Sequence, residues 1–69
     1  MSEFKIKDEH IKLGQVLKAA GLAGSGLEAK IVIQEGEVTV DGEIETRRGR
    51  KLFGGETVSF QGEEIHIIK

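Results

Sequence analysis

The chain has 69 residues, enough for one small domain and no more. A domain of that size buries only roughly 60% of the surface its unfolded chain exposes, so its core has to be compact. It has no cysteine, which excludes disulfides, thiolate metal ligands and a cysteine nucleophile, and its net charge of −2 argues against a general polyanion binder.

In chain order, Phe4 and Ile6 alternate with Lys5 and Lys7, which predicts a short half-exposed strand or an extended arm. From Lys12 to Ala20, the apolar residues Leu13, Val16, Leu17 and Ala20 recur at three- and four-residue spacing. That is one face of a helix, and Gly21 stands where a helix would end. Ser25 with Glu28 three residues on has the form of a capping box. The helix it opens turns Ala29, Val32 and Ile33 inward and stops at Gly36, so two short helices make a hairpin.

After Gly36 the period changes to two. Val38 and Val40 alternate with polar neighbours, Asp41-Gly42 is a two-residue hairpin turn, and Ile44 continues the returning strand. Leu52-Phe53 leads into a turn at Gly54-Gly55-Glu56. Val58 and Phe60 alternate, Gln61-Gly62-Glu63 turns again, and Ile65 and Ile67 alternate to Ile68. Two helices followed by a small antiparallel sheet make an α+β domain covering 1–69. The longest apolar run is Ile31-Val32-Ile33, and no signal peptide is apparent, so the expected location is cytoplasmic, away from membranes.

Chemistry of the enzymatic kind has little to stand on. Ser2, Ser25 and Ser59 lack a histidine nearby in sequence, and His10 and His66 lie far apart. A base would have to reach a nucleophile through the fold, and Ser25 is better read as a cap. Glu35, Glu37, Glu43 and Glu45 could collect a divalent ion, but acids around a hairpin usually form a solvated face. His66, between Ile65 and Ile67, points away from the core. The expectation is no enzyme, no metal and no cofactor.

Charge is unevenly placed. Residues 1–46 carry five lysines against nine acids, whereas Arg47, Arg48, Arg50 and Lys51 stand together around Gly49 with no acid among them. Guanidinium groups offer forked donors that fit phosphate oxygens and stay charged at any working pH. Gly49 would let the backbone bend within the run. The start of the second helix at Ser25, with Gly24 and Gly26 beside it, is a second candidate for phosphate through its free N–H groups. Lys12, Lys18 and Lys30, off the apolar stripes, are a third.

Gly21-Leu22-Ala23-Gly24 fits the GxxG loop of a KH domain, although Ala19-Ala20 precede it where an aliphatic run is usual. Three Phe residues with no Trp or Tyr give base stacking poor support. Phosphate and shape recognition of folded RNA is the better reading.

The segment from Lys12 to Phe60 resembles the S4-type RNA-binding domain. That family opens helix one on basic-Leu-Asp, ends it on Gly and opens helix two on Ser-Arg-x-x-Ala. A Leu-Ile pair, Gly, Val-x-Val-Asn-Gly and a late Gly-Asp turn follow. Here stand Lys12-Leu13, Leu17, Gly21-Leu22, Ser25, Ala29, Val32-Ile33, Gly36, Val38-Thr39-Val40-Asp41-Gly42 and Gly55-Glu56, with the spacing kept. Glu45-Thr46-Arg47-Arg48-Gly49-Arg50-Lys51 looks like the stand-alone bacterial YbcJ/YaaA-like members.

The resemblance implies the αL fold, a helical hairpin beside a small sheet with RNA bound across the face of the second helix; the expected partner is structured RNA, ribosomal or ribosome-associated, and the expected state a monomer. Gly14 departs from the family's Asp, and Gly24 and Gly26 stand where basic residues are common. These departures shift weight onto Lys12, Lys18, Lys30 and the arginine run. The expected RNA contacts are therefore Lys12, Lys18, Ser25, Gly26, Lys30, Thr46, Arg47, Arg48, Arg50 and Lys51, with Glu45 and Thr46 orienting the loop. The alternative is a protein-interaction adaptor whose basic loop docks an acidic partner.

Overall fold

The computed structural model describes residues 2–69. Its elements are β1 (Ser2–Lys5), β2 (Ile11–Lys12), α1 (Leu13–Ala19), α2 (Gly26–Gln34), β3 (Val38–Val40), β4 (Glu43–Ile44), β5 (Lys51–Leu52), β6 (Thr57–Phe60) and β7 (Glu63–Ile68). The α+β class expected from the periodicity is what forms.

Both helices stop as their glycines dictate. Gly21 and Gly36 have φ of 79°. Leu22 N–H donates to the Leu17 carbonyl at 2.9 Å and Glu37 N–H to the Val32 carbonyl at 3.1 Å. This is the Schellman arrangement, in which a left-handed residue lets the next N–H reach back to an orphan carbonyl. Because α1 ends at Ala19, Ala20 is a cap and is exposed, not on the inner face as its spacing suggested. Val32 is only partly buried and packs against the core from its edge.

Two hairpins follow the same local logic. Asp41 and Gly42 have φ of 53° and 85°, and Gln61 and Gly62 have 51° and 81°. Two consecutive positive φ values match the right-handed twist of the strands they join. β3, β6 and β7 pair antiparallel in the register Val40–Val58–Ile65.

The sheet is mixed, however, not wholly antiparallel. Its order is β1-β7-β6-β3-β4, and β1 lies parallel to β7, with Ser2 opposite Ile65 and Lys5 opposite Ile68. A second, separate ribbon pairs β2 with β5, placing Ile11 opposite Leu52 and Lys12 opposite Lys51.

Helices cover one face of the sheet. Leu13, Val16 and Leu17 of α1 meet Ala29 and Ile33 of α2 above Val38, Val40, Val58, Phe60, Ile65 and Ile67. Leu13, Leu17, Ile33, Leu52 and Ile67 are fully buried, each worth about 1.5–3 kcal/mol by its apolar area. Leu22 packs against this core and Ala23 lies inside it, so the middle of the Gly21–Gly24 loop is turned inward. An exposed nucleotide clamp of the KH kind is not formed there.

Candidate nucleic-acid interface

The basic run is held by one carboxylate. Glu45 is 6% exposed, which corrects the expectation that the acids form a solvated face. A buried charge has to be paired. Here one Glu45 oxygen, Oε2, accepts from Arg47 N–H and Nε at 3.1 Å each, while Oε1 accepts from Arg47 Nη2 and Arg50 Nη1 at 3.1 Å. The Arg47 side-chain bond, followed by its backbone N–H and by Arg50, outweighs burial and holds the Glu45 carboxyl at a pKa of about 2. Arg50 N–H donates to the Arg47 carbonyl at 3.2 Å, closing a turn with Arg48 and Gly49 at its centre.

That turn docks on α1. Leu13 N–H donates to the Arg50 carbonyl at 2.9 Å and Gly14 N–H to the Arg48 carbonyl at 3.0 Å. The first N–H groups of a helix have no partner within it, so the basic loop satisfies two of α1's orphans through its backbone. Lys12 N–H donates to Gln15 Oε1 at 3.1 Å, fixing a third. Gly49 does not have a positive φ, so its lack of a side chain is not a conformational requirement of the bend.

The docked loop forms the wall of a groove of about 340 Å³ lined by Lys12, Gly14, Gln15, Lys18, Gly26, Arg48 and Gly49. Three cations from three elements converge here: Lys12 from β2, Lys18 from the last turn of α1 and Arg48 from the loop. None of the three is in an ion pair among the described residues. Charge of one sign between low-dielectric walls concentrates the positive potential.

Of the other expected contacts, Gly26 lines the groove at the start of α2, while Ser25, Lys30, Thr46, Arg47, Arg50 and Lys51 do not. Ser25 Oγ accepts from Glu28 N–H at 3.1 Å, and Glu28 Oε2 accepts from Gly24 N–H at 2.9 Å. The capping box is therefore displaced by one residue, and a carboxylate already sits against the end of α2. Lys30 is half-buried on α2, Thr46 and Lys51 are exposed, and Arg47 and Arg50 are bound to Glu45.

Gln15 is a lining residue that sequence reasoning missed. Its signal was the three-residue spacing from Lys12, the spacing at which a side-chain amide reaches back to a helix start, although lysine is not a capping residue type. Gly14 was read as a departure from the family's Asp and Gly49 for its flexibility; in the fold both line the groove.

The described residues contain no helix long and apolar enough to cross a membrane, and no cluster of three metal-ligating side chains. Residues 4–68 match the S4 domain family model. YbcJ of Escherichia coli (strain K12) is 44% identical over 69 residues, 99% of each chain. The solution structure of YbcJ from E. coli, which reveals an αL motif involved in RNA-binding, superposes with a TM-score of 0.76 at 43% identity. It covers 100% of this chain and 89% of that one. A Bacillus subtilis (strain 168) protein named probable ribosome maturation protein RlbA is 47% identical over 57 residues, 83% of this chain and 80% of its own.

The helical hairpin, the sheet and the match along nearly the whole chain agree: the chain belongs to the S4 domain family.

Proposed function

We propose that this chain is a cytoplasmic RNA-binding module that holds the phosphate backbone of a structured RNA, ribosomal or part of a ribosome-associated particle. The observation that carries this reading is the convergence of Lys12, Lys18 and Arg48 on one groove without acidic partners. Phosphate contacts dominate such affinity, and each one releases counterions. Lys51, opposite Lys12 on the ribbon, extends the cationic surface, and Lys30 adds to it from α2.

Arg47 and Arg50 act differently. Glu45 offsets one of their two positive charges and fixes both side chains, so their part is to present the Arg48-Gly49 turn, with Thr46 completing the loop. At the α2 end, Gly26 leaves backbone open to a phosphate, while Ser25 keeps the helix start in place. The names of the relatives, one a YbcJ structure with an RNA-binding motif and one a ribosome maturation protein, support RNA near the ribosome as the partner.

The test is binding to purified ribosomal RNA, a transfer RNA and duplex DNA across a salt series. About five phosphate contacts give a slope of log affinity against log salt near −4. The triple variant K12E/K18E/R48E is expected to lose the structured RNA while keeping the fold. An affinity that barely changes with salt, or a triple variant that binds as the parent does, overturns the reading.

A further inference from the structure

The β2–β5 ribbon carries more than its lysines. Side chains alternate across a strand, and Ile11 and Leu52, paired in register, turn inward, Leu52 being fully buried. Their neighbours Lys12 and Lys51 therefore face outward together. Just beyond these two pairs lie His10, half-buried, and Phe53, exposed, with their ring centroids 5.9 Å apart at a tilt of 51°.

Phe53 is 47% exposed, whereas Phe4 is half-buried and Phe60 lies in the core. His10 Nδ1 is buried without a hydrogen-bond partner, so packing, and not a polar contact of that atom, holds the imidazole beside Phe53. A supported aromatic face thus sits about two residues, some 6–7 Å, along the ribbon from a pair of cations. Lys12 is common to this face and to the phosphate groove.

We propose that Phe53, backed by His10, is a stacking platform for one unpaired nucleobase, with Lys12 and Lys51 taking the phosphates on either side of it. Every base has a π-face, so a ring of this kind accepts any base, and cations beside it fix the backbone. The chemical class is an RNA with an unpaired nucleotide next to a helix, such as a loop or bulge, and not a plain duplex. This departs from the expectation that so few aromatics leave stacking without support: one exposed ring beside two lysines is enough for one base. The proposal rests on the RNA-binding reading above.

Two probes test it: a stem-loop RNA carrying 2-aminopurine in the loop, and a blunt duplex RNA of the same stem. F53A and F53L are expected to weaken stem-loop binding by roughly 5- to 150-fold, the equivalent of about 1–3 kcal/mol per stacked base, and to leave duplex binding unchanged. F53W keeps the affinity. The parent protein quenches the loop 2-aminopurine and F53L does not. Equal affinities for parent, F53A and F53L on the stem-loop, or an equal loss on both RNAs, overturn the platform while leaving phosphate binding intact. A parent protein that binds neither RNA at low salt overturns the RNA-binding reading itself, and the platform with it.

Discussion

The Arg48 carbonyl accepts the Gly14 N–H at 3.0 Å, so the loop that carries the free cation is also the cap of the helix beside it. Loop and helix cannot move apart without exposing an orphan N–H, which costs about as much as a lost hydrogen bond. The spacing of Lys18 and Arg48 across the groove is therefore set by backbone, and the long side chains only supply charge.

Gly14→Ala tests how tightly that seam is packed. A Cβ there would meet Arg48 Cβ and the Arg48 carbonyl oxygen at 3.5 Å, ordinary contact, and Gly14 does not have a positive φ. The variant keeps the N–H donor and restricts the unfolded chain. Stability is expected to rise by about 0.4–1 kcal/mol, read as an upward shift of the thermal midpoint by a few degrees. A fall in the midpoint would mean that the loop sits closer to α1 than the structure has it.

Glu45 should show itself in acid. Its carboxyl is lowered from 4.5 to about 2 in the fold, so the unfolded chain takes up its proton first as pH falls. The stabilisation is complete above about pH 5 and is lost as pH drops through about 2. Glu45→Gln is expected to cost about 1–3 kcal/mol at pH 7, since a charged hydrogen-bonded group is replaced and the exposed Arg47 can turn to water. Urea titrations of parent and variant should differ at pH 7 and converge near pH 2. A constant difference at both pH values would assign the effect to packing.

Gly21→Ala and Gly36→Ala separate backbone strain from crowding. Both residues have φ of 79°; a Cβ at Gly21 meets nothing within 4 Å, and one at Gly36 meets Ile44 Cγ2 at 3.5 Å. Each variant is expected to lose about 1–2 kcal/mol, the cost of a left-handed residue with a side chain. Equal losses in chemical denaturation place the cost in φ. A much larger loss for Gly36→Ala would place it at Ile44.

The elements with full periods were legible in the sequence. The helix stripe Leu13, Val16, Leu17, the Asp41-Gly42 turn and the alternation at Val58 and Phe60 all appear in the fold where their spacing put them. What escaped has a common physical cause, which is reliance on partners distant in sequence. β2 and β5 are two residues each, too short for a period, and exist only because they pair with one another. β1 was visible as an arm, but its parallel partner β7 was not. In the site, Lys12 and Arg48 were named for their charge. Glu45 was read as orienting the loop, but its burial under residues distant in sequence, which binds Arg47 and Arg50 to it, is announced by no local pattern around residue 45.

The parallel pairing of β1 with β7 bears on how the chain is made. β1 leaves the ribosome first among the strands, and the strand that completes its hydrogen bonds leaves last. The helical hairpin and the β3–β4 turn can form from neighbours while synthesis continues, but the sheet edge at Ser2–Lys5 must wait. Until β7 arrives, Phe4 and Ile6 have no sheet to rest on, so this edge of the domain closes last.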